Sequence, residues 1–142
     1  MDNLAYILSH LRVRDAEELR EYGLDVQAAE GLAHVPHVLF RTWAASGNPA
    51  AACWFDALTP RALIVSLMAT DDWPKVAGQV VRWGRRVAKP ELLAMGYTRC
   101  ECRTMAGHRD AVRLLEFMGF SLECRLPLYG ATGKAFLQYS WR

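Results

Sequence analysis

Residues 106–126, AGHRDAVRLLEFMGFSLECRL, predict a helix that ends on a glycine and passes directly into a strand. The helix is expected over 108–118, because Gly119 tolerates the left-handed conformation that ends many helices. Phe120 then begins the strand with its ring toward the core. We interpret His108 as the residue that caps this helix or bonds a neighbouring backbone group. The alternative, in which His108 orients a cofactor amide or acts as a base, stays open.

The composition describes a folded chain of one domain, residues 1–142, in which 52% of the residues are hydrophobic. A net charge of +2 is too small to predict nucleic-acid binding by itself. The N-terminus has no signal-like pattern, and no apolar run approaches the roughly 20 residues of a membrane span. The cysteines at 53, 100, 102 and 124 are expected to be reduced. We therefore expect a cytoplasmic protein with no membrane partner.

The first third of the chain predicts one strand and two helices. Residues 4–11 are apolar enough for a first strand. Asp15 and Glu18 have the spacing of a capping box, so a helix is expected to begin at Asp15 and to end at Gly23. A second helix is expected over 25–33, with an aspartate as its cap.

Three apolar runs follow, at 40–46, 51–57 and 61–70, with turn residues between them. Strands separated in this way indicate an antiparallel meander. The first run could instead be helical, because its apolar residues also fit one face of a helix.

A helix is then predicted to begin at Pro74, where a missing N–H costs nothing, to be interrupted at Pro90 and to end at Gly96. Its apolar side chains are expected to face the core. These are Val76, Val80, Trp83 and Val87.

The same helix carries a basic patch of four side chains. These are Arg82, Arg85, Arg86 and Lys89. We interpret the patch as a solvated face that also stabilises the C-terminal end of the helix dipole. The alternative is a nucleic-acid surface on which a tryptophan stacks with bases.

Residues 97–104 alternate strictly and predict another strand, and two final strands are expected over 120–129 and 134–141. The full order is then β, α, α, β, β, β, α, β, α, β, β. Helices must cover both faces of a mixed sheet with this order, so the fold class is α/β (α+β).

This order and the run 108–120 resemble the GNAT superfamily of N-acetyltransferases. Members often carry Asn, two residues, Ala, and then a leucine-rich helix ending in Tyr-x-x-x-Gly-Phe. Here Ala111 and the pair Gly119-Phe120 match, while His108 stands in place of the Asn and Leu115 in place of the Tyr. The resemblance implies a mixed, mostly antiparallel central sheet whose middle strands, 62–70 and 97–104, are splayed.

The resemblance further implies an N-acyltransferase that holds acetyl-CoA between the splayed strands. The cofactor-binding residues it implies are Met68, Thr70, Lys75, Val76 and His108. The family's glycine-rich pyrophosphate loop is not matched, because residues 68–78 lack paired glycines and contain Asp71, Asp72 and Pro74.

No catalytic residue is assigned, so whether the chain is an enzyme stays open. Leu115 cannot act as the general acid that a tyrosine supplies there, and Tyr129 or Tyr139 could replace it. Glu101 lies among arginines, which would keep it ionised and unsuited to accept a proton. His34 and His37 flank a proline without a third ligand nearby, so no metal site is expected.

Small GNAT-like proteins of tailed phages show a similar combination of His108, Gly119-Phe120, Arg125 and Tyr129-Gly130. Some of these relatives are internal virion proteins that act in particle assembly. This resemblance implies an alternative function, in which a catalytically degenerate fold contacts a host or virion protein. A virion-associated location would follow from it.

Overall fold

The computed structural model describes residues 2–141, with the side chains of residues 26, 33 and 34 left outside the description. Three short helices come first: α1 Asn3–Ser9, α2 Val13–Glu21 and α3 Val26–Glu30, the last followed by a 3₁₀ turn Gly31–His34. Three later helices are α4 Trp73–Trp83, α5 Lys89–Ala94 and α6 Arg109–Phe117. The strands are β1 Leu39–Ala45, β2 Asn48–Thr59, β3 Ala62–Ala69, β4 Arg99–Met105, β5 Phe120–Leu126 and β6 Phe136–Trp141.

The six strands form one sheet in the order β1-β2-β3-β4-β6-β5. Only β3 and β4 run parallel, and the other neighbours are antiparallel. This is the mixed, mostly antiparallel sheet that the sequence predicts, and the meander of β1, β2 and β3 is confirmed. The run 40–46 is therefore a strand and not a helix.

Alternating side chains of β2 face two separate cores. Cys53 and Phe55 pack with the α4 side chains Val76 and Val80 on one face. Ala52 and Trp54 pack on the other face against α1 and α2, whose buried residues are Leu4, Ile7, Leu8 and Leu19. Because strand side chains alternate between faces, helices cover both sides of this half of the sheet.

Two predictions for the N-terminal segment are wrong. Residues 4–11 form helix α1 and not a strand, because the Asp2 side chain accepts a hydrogen bond from the Ala5 N–H (2.7 Å) and caps it. Helix α2 begins at Val13 rather than at Asp15, and its N-cap Arg12 makes no side-chain cap. Asp15 instead lies in the first turn of α2, because its carboxylate bonds groups distant in sequence.

The helix that begins near Pro74 is continuous where its sequence predicts an interruption. A π-helical turn, Gly84–Ala88, joins α4 to α5, and the residues at both junctions keep right-handed helical dihedrals. The Lys89 N–H donates to the Gly84 carbonyl, five residues back, directly before Pro90. The wider turn accommodates Pro90, which cannot donate to residue 86, so the predicted interruption is wrong. Val87 is 46% exposed and does not join the core face.

The opening stretch behaves as its sequence predicts. His108 is the N-cap of α6, and its Nδ1 accepts a hydrogen bond from the Ala111 N–H (3.3 Å). Gly119 has φ +86°, the left-handed value that lets the chain turn into β5 at once. Strands β5 and β6 are shorter than predicted, and residues 127–135 form the connection between them.

Candidate active site

The middle strands of the sheet separate after a short parallel contact. β3 and β4 pair only at Ala62–Arg99, Leu63–Cys100 and Ile64–Glu101. Beyond this point β3 remains paired with β2, while β4 pairs with β6. The gap between the two strands is the slot that the sequence analysis predicts.

The backbone of Leu67 faces the slot. The Thr70 N–H donates to the Ala50 carbonyl (2.9 Å), so the backbone groups of Thr70 point toward β2. The pairing of β2 with β3 is regular from Leu63 to Ala69, and backbone groups alternate along a strand. Leu67 therefore points toward β4, beyond the last β3–β4 pair. Its N–H and C=O form an unpaired strand edge along the slot.

The backbone groups of Ala69, two residues after Leu67, also point toward β4, but both have hydrogen-bond partners. Its N–H donates to Asp15 Oδ2 (2.8 Å), and its carbonyl accepts from the Arg12 N–H (3.0 Å). The start of α2 thus closes the end of the slot.

Two cavities meet in the slot. One of about 300 Å³ opens beside α2, and one of about 90 Å³ lies against α4. Both are lined by the same five side chains of β3, β4 and α6. These are Val65, Leu67, Cys102, Leu114 and Leu115. The slot therefore passes through the sheet from one face to the other.

The larger cavity contains two of the five predicted cofactor residues, Met68 and His108. Thr70 is buried at the end of β3, and its Oγ1 accepts from the Asp72 N–H (3.2 Å). Lys75 is exposed and pairs with Asp72 (3.1 Å), while Val76 is buried in the α4 core. Thr70, Lys75 and Val76 do not line either cavity of the slot.

The N-terminus of α4 offers few backbone donors to an anion. The N–H groups of Asp72 and Trp73 donate to Thr70, and the Lys75 N–H donates to the Asp72 carbonyl (2.9 Å). Pro74 has no N–H. Helix N-termini bind phosphates through free N–H groups, and this one has already used them internally.

A buried cluster joins α2 to α6 at the end of the slot. His108 Nε2 lies 2.8 Å from Asp15 Oδ1, and both side chains are at most 5% exposed. Since His108 Nδ1 accepts from the Ala111 N–H, the proton lies on Nε2 and is donated to Asp15. Arg12 pairs with the same carboxylate (3.0 Å). His108 is thus a cap that also fixes α2, which agrees with its structural interpretation.

Glu18 contributes a carboxylate to the site, although its spacing from Asp15 in the sequence predicts only a helix cap. Its carboxylate accepts from the Thr104 hydroxyl and from the Met105 N–H (both 3.2 Å) and lines the larger cavity. Burial raises the pKa of Glu18 to about 7, more than the nearby His108 lowers it. The partners lie on β4, 86 and 87 residues away, so no local pattern could have identified this acid.

Of the two tyrosines proposed as acids, only Tyr129 lines the slot. Its hydroxyl accepts from Arg103 (3.3 Å), which leaves its own proton free to donate. Tyr139 is 2% exposed, and burial raises the pKa of its hydroxyl. Glu101 pairs with Arg99 and Arg103, as its position in the sequence predicts.

The thiols that line the slot, Cys53 and Cys102, are poor nucleophiles because burial raises their pKa values. All four cysteines are free, and burial raises the pKa of Cys102 to about 12. His37 bonds Asp56 and the Leu32 carbonyl, and the side chain of His34 lies outside the described residues. Within the described part of the chain, no three metal-ligating side chains cluster. None of the helices within 2–141 has both the length and the apolar character that crossing a membrane requires.

No protein-family model and no curated protein matches the sequence. Solved structures do match the fold. Ard1 from Thermoplasma volcanium superposes with TM-score 0.71 and 11% identity, over 99% of this chain and 92% of that one. A probable acetyltransferase of the GNAT family from Chromobacterium violaceum gives TM-score 0.70 and 17% identity, over 99% and 83%.

A third structure, yncA from Salmonella typhimurium, was solved with its cofactor acetyl-CoA. It gives TM-score 0.52 and 14% identity over 68% of this chain, which spans only 59% of that protein. Identities this low establish the fold alone. The six-stranded sheet, its splayed middle and these superpositions together show that this chain has the fold of the GNAT acetyltransferases.

Proposed function

We propose that this chain is an N-acyltransferase that takes its acyl group from the thioester of acetyl-CoA. The unpaired backbone edge of Leu67 along the slot carries the proposal. A pantetheine arm has amide groups that bond an open strand edge as an added strand does. Two of the structural neighbours, from Salmonella typhimurium and Chromobacterium violaceum, are named as acetyltransferases, and the first holds acetyl-CoA, which supports the same donor here.

The residues at the slot fit the thioester arm, but the start of α4 does not fit the pyrophosphate. The arm would lie between Leu67 on β3 and Cys102 on β4, whose side chains line both cavities. Asp71 and Asp72 add negative charge where the pyrophosphate would lie, and the nearby N–H groups have partners. When bound, the thioester supplies an activated acyl carbonyl for attack by an amine.

Two side chains of this cavity have roles in the proposed reaction. Glu18, with a pKa of about 7, accepts the proton that the amine must lose, because a base works best near the ambient pH. Tyr129 donates a proton to the sulfur that leaves. Asp15 and His108 hold α2 and α6 together, so they position Glu18 without contacting the substrate.

Thermal unfolding with acetyl-CoA and with S-acetylpantetheine tests this function. A ligand present at about 100 times its dissociation constant adds about 2.7 kcal/mol to the stability. Cys102→Leu should abolish the stabilisation by filling the slot. Cys124→Leu makes the same change at an exposed position on β5 and should retain it. If neither thioester stabilises the wild-type protein, the proposal is refuted.

A second candidate is a GNAT fold without catalysis that acts through contact with a host or virion protein. The specific observation in its favour is the start of α4, where internal bonds replace the free N–H groups of a phosphate site. The same unfolding experiment separates the two candidates, because this one predicts no stabilisation by either thioester.

A further inference from the structure

We propose that a basic groove between α4 and α6 binds the nucleotide end of the donor, as an adenosine bisphosphate. The groove is formed by Arg82, Arg85, Arg86 and Phe117. This inference rests on the proposed function, because the thioester arm and the nucleotide belong to one molecule. It assigns the phosphates to a surface other than the start of α4.

The groove has the size and the side chains of a nucleotide site. It is an open depression of about 380 Å³ over the small residues Ala77 and Gly78 of α4. Phe117 is 64% exposed, and the Arg85 guanidinium lies 5.5 Å from the centre of its ring. An aromatic ring and a guanidinium plane are the groups on which a purine stacks.

The arginines of the groove repel one another without relief from acids. Arg85 and Arg86 follow Arg82 by three and four residues on one helix, so both are neighbours of Arg82 on its surface. None of the three forms an ion pair with a carboxylate of a described residue. Like charges at this spacing destabilise a helix, and guanidinium groups bind phosphates in a bidentate way. An anionic ligand would remove the repulsion.

The earlier interpretation of these arginines as a complement to the helix dipole is wrong. The helix continues without a break from α4 through the π-helical turn into α5, so residues 82–86 lie in its middle. The dipole acts within the first and last turns only. All three arginines are exposed, as the solvated-face part of that interpretation predicts, and their charges are available to an anion.

Close packing fixes the two walls of the groove. A Cβ built on Gly84 would lie 2.3 Å from Met118 Cε, so the end of the Met118 side chain packs directly against the π-helical turn. The contact brings Phe117 beside Arg85. A π-helical turn of this kind is common at functional sites.

The groove also adjoins the slot. Arg85 lines both the groove and the smaller cavity, which itself shares Leu67 and Cys102 with the larger one. The groove and the slot are therefore neighbours that share the Arg85 side chain.

Calorimetric titration of the isolated protein with adenosine 3′,5′-bisphosphate tests the groove without a thioester or an acceptor. We expect binding that weakens as salt screens the charges. Replacing Arg82→Gln and Arg86→Gln together should weaken it about a hundredfold, because each charge-assisted contact contributes about tenfold. The matched control, Arg109→Gln with Arg113→Gln, makes the same charge change on α6 outside the groove and should leave the affinity unchanged. Phe117→Leu should weaken binding through lost stacking.

Three results would overturn the inference. They are no binding to the wild-type protein, an equal loss in the control pair, and tighter binding of single-stranded DNA than of the bisphosphate to the same arginines. Acetyl-CoA should lose affinity with the groove variants, while S-acetylpantetheine should not. Bisphosphate binding without any S-acetylpantetheine binding would refute the proposed function and still support the groove.

Discussion

Replacing Glu18→Gln should make the protein more stable at pH 8 and leave its stability almost unchanged at pH 4. Glutamine keeps both hydrogen bonds, because its oxygen accepts from the Met105 N–H and its amide donates to the Thr104 hydroxyl once that hydroxyl rotates. The charge is the only loss. The variant therefore measures the cost of ionising a buried acid.

The sign and the size of this change in stability follow from the pKa of Glu18. Burial raises it in the folded state from 4.5 to about 7, so the folded protein binds this proton more tightly than the unfolded chain. Stability is fully present below pH 4.5 and falls as the pH rises toward about 7. A shift of this size corresponds to about 3 kcal/mol, at 1.36 kcal/mol for each pKa unit.

Urea unfolding, followed by tryptophan fluorescence between pH 4 and pH 8, checks this prediction. Groups other than Glu18 titrate in both proteins, so they cancel in the difference. The control is Glu17→Gln, one residue away on the surface. The bonds to Lys134 and Arg14 lower the pKa of Glu17, so this variant should lose stability at neutral pH. Its stability change is therefore opposite in sign to that of Glu18→Gln. A difference between wild type and Glu18→Gln that does not vary with pH would refute the buried-acid interpretation.

Three further predictions concern the slot and its walls. His108→Ala should cost about 2 kcal/mol of unfolding free energy in urea, because Asp15 loses a buried partner, whereas His108→Asn should cost less because its amide oxygen restores the cap. Gly84→Ala should change the unfolding free energy by less than about 1 kcal/mol in thermal unfolding, because the end of Met118 can move aside and alanine favours the helical dihedrals of this position. Tyr129→Phe should lower the acyl-transfer rate about a hundredfold while the calorimetric affinity for S-acetylpantetheine stays constant. Equal costs for the two His108 variants, a loss of more than about 2 kcal/mol in Gly84→Ala, or unchanged transfer in Tyr129→Phe would contradict these accounts.

The fold could be predicted where local signals and long-range packing agree. Gly119 ends α6 for a reason that lies in its own dihedral angle, and Asp25 caps α3 through a bond three residues along. The prediction of a strand over residues 4–11 was wrong because an apolar run of that length fits a strand or a buried helix equally well. The Asp2 cap and the helical spacing of the buried side chains distinguish the two.

The site was harder to predict because its chemistry is assembled across the sheet. The position of Asp15 in a capping-box pattern hid its bond to His108, 93 residues later. Glu18 acquires its raised pKa only when β4 and α6 pack over it. The sequence predicts part of the poor fit between the start of α4 and an anion, since Asp71, Asp72 and Pro74 lie there. That its remaining N–H groups bond internally required the coordinates.

The central claim is that the thioester arm pairs with the open edge of β3. Amide chemical shifts of the isotopically labelled protein, recorded during titration with S-acetylpantetheine, test it most directly. The Leu67 amide faces the slot and should move strongly, while the neighbouring Met68 amide, which points to β2 opposite Ala52, should move little. Equal small shifts at both residues, or a response confined to another surface, would contradict the account.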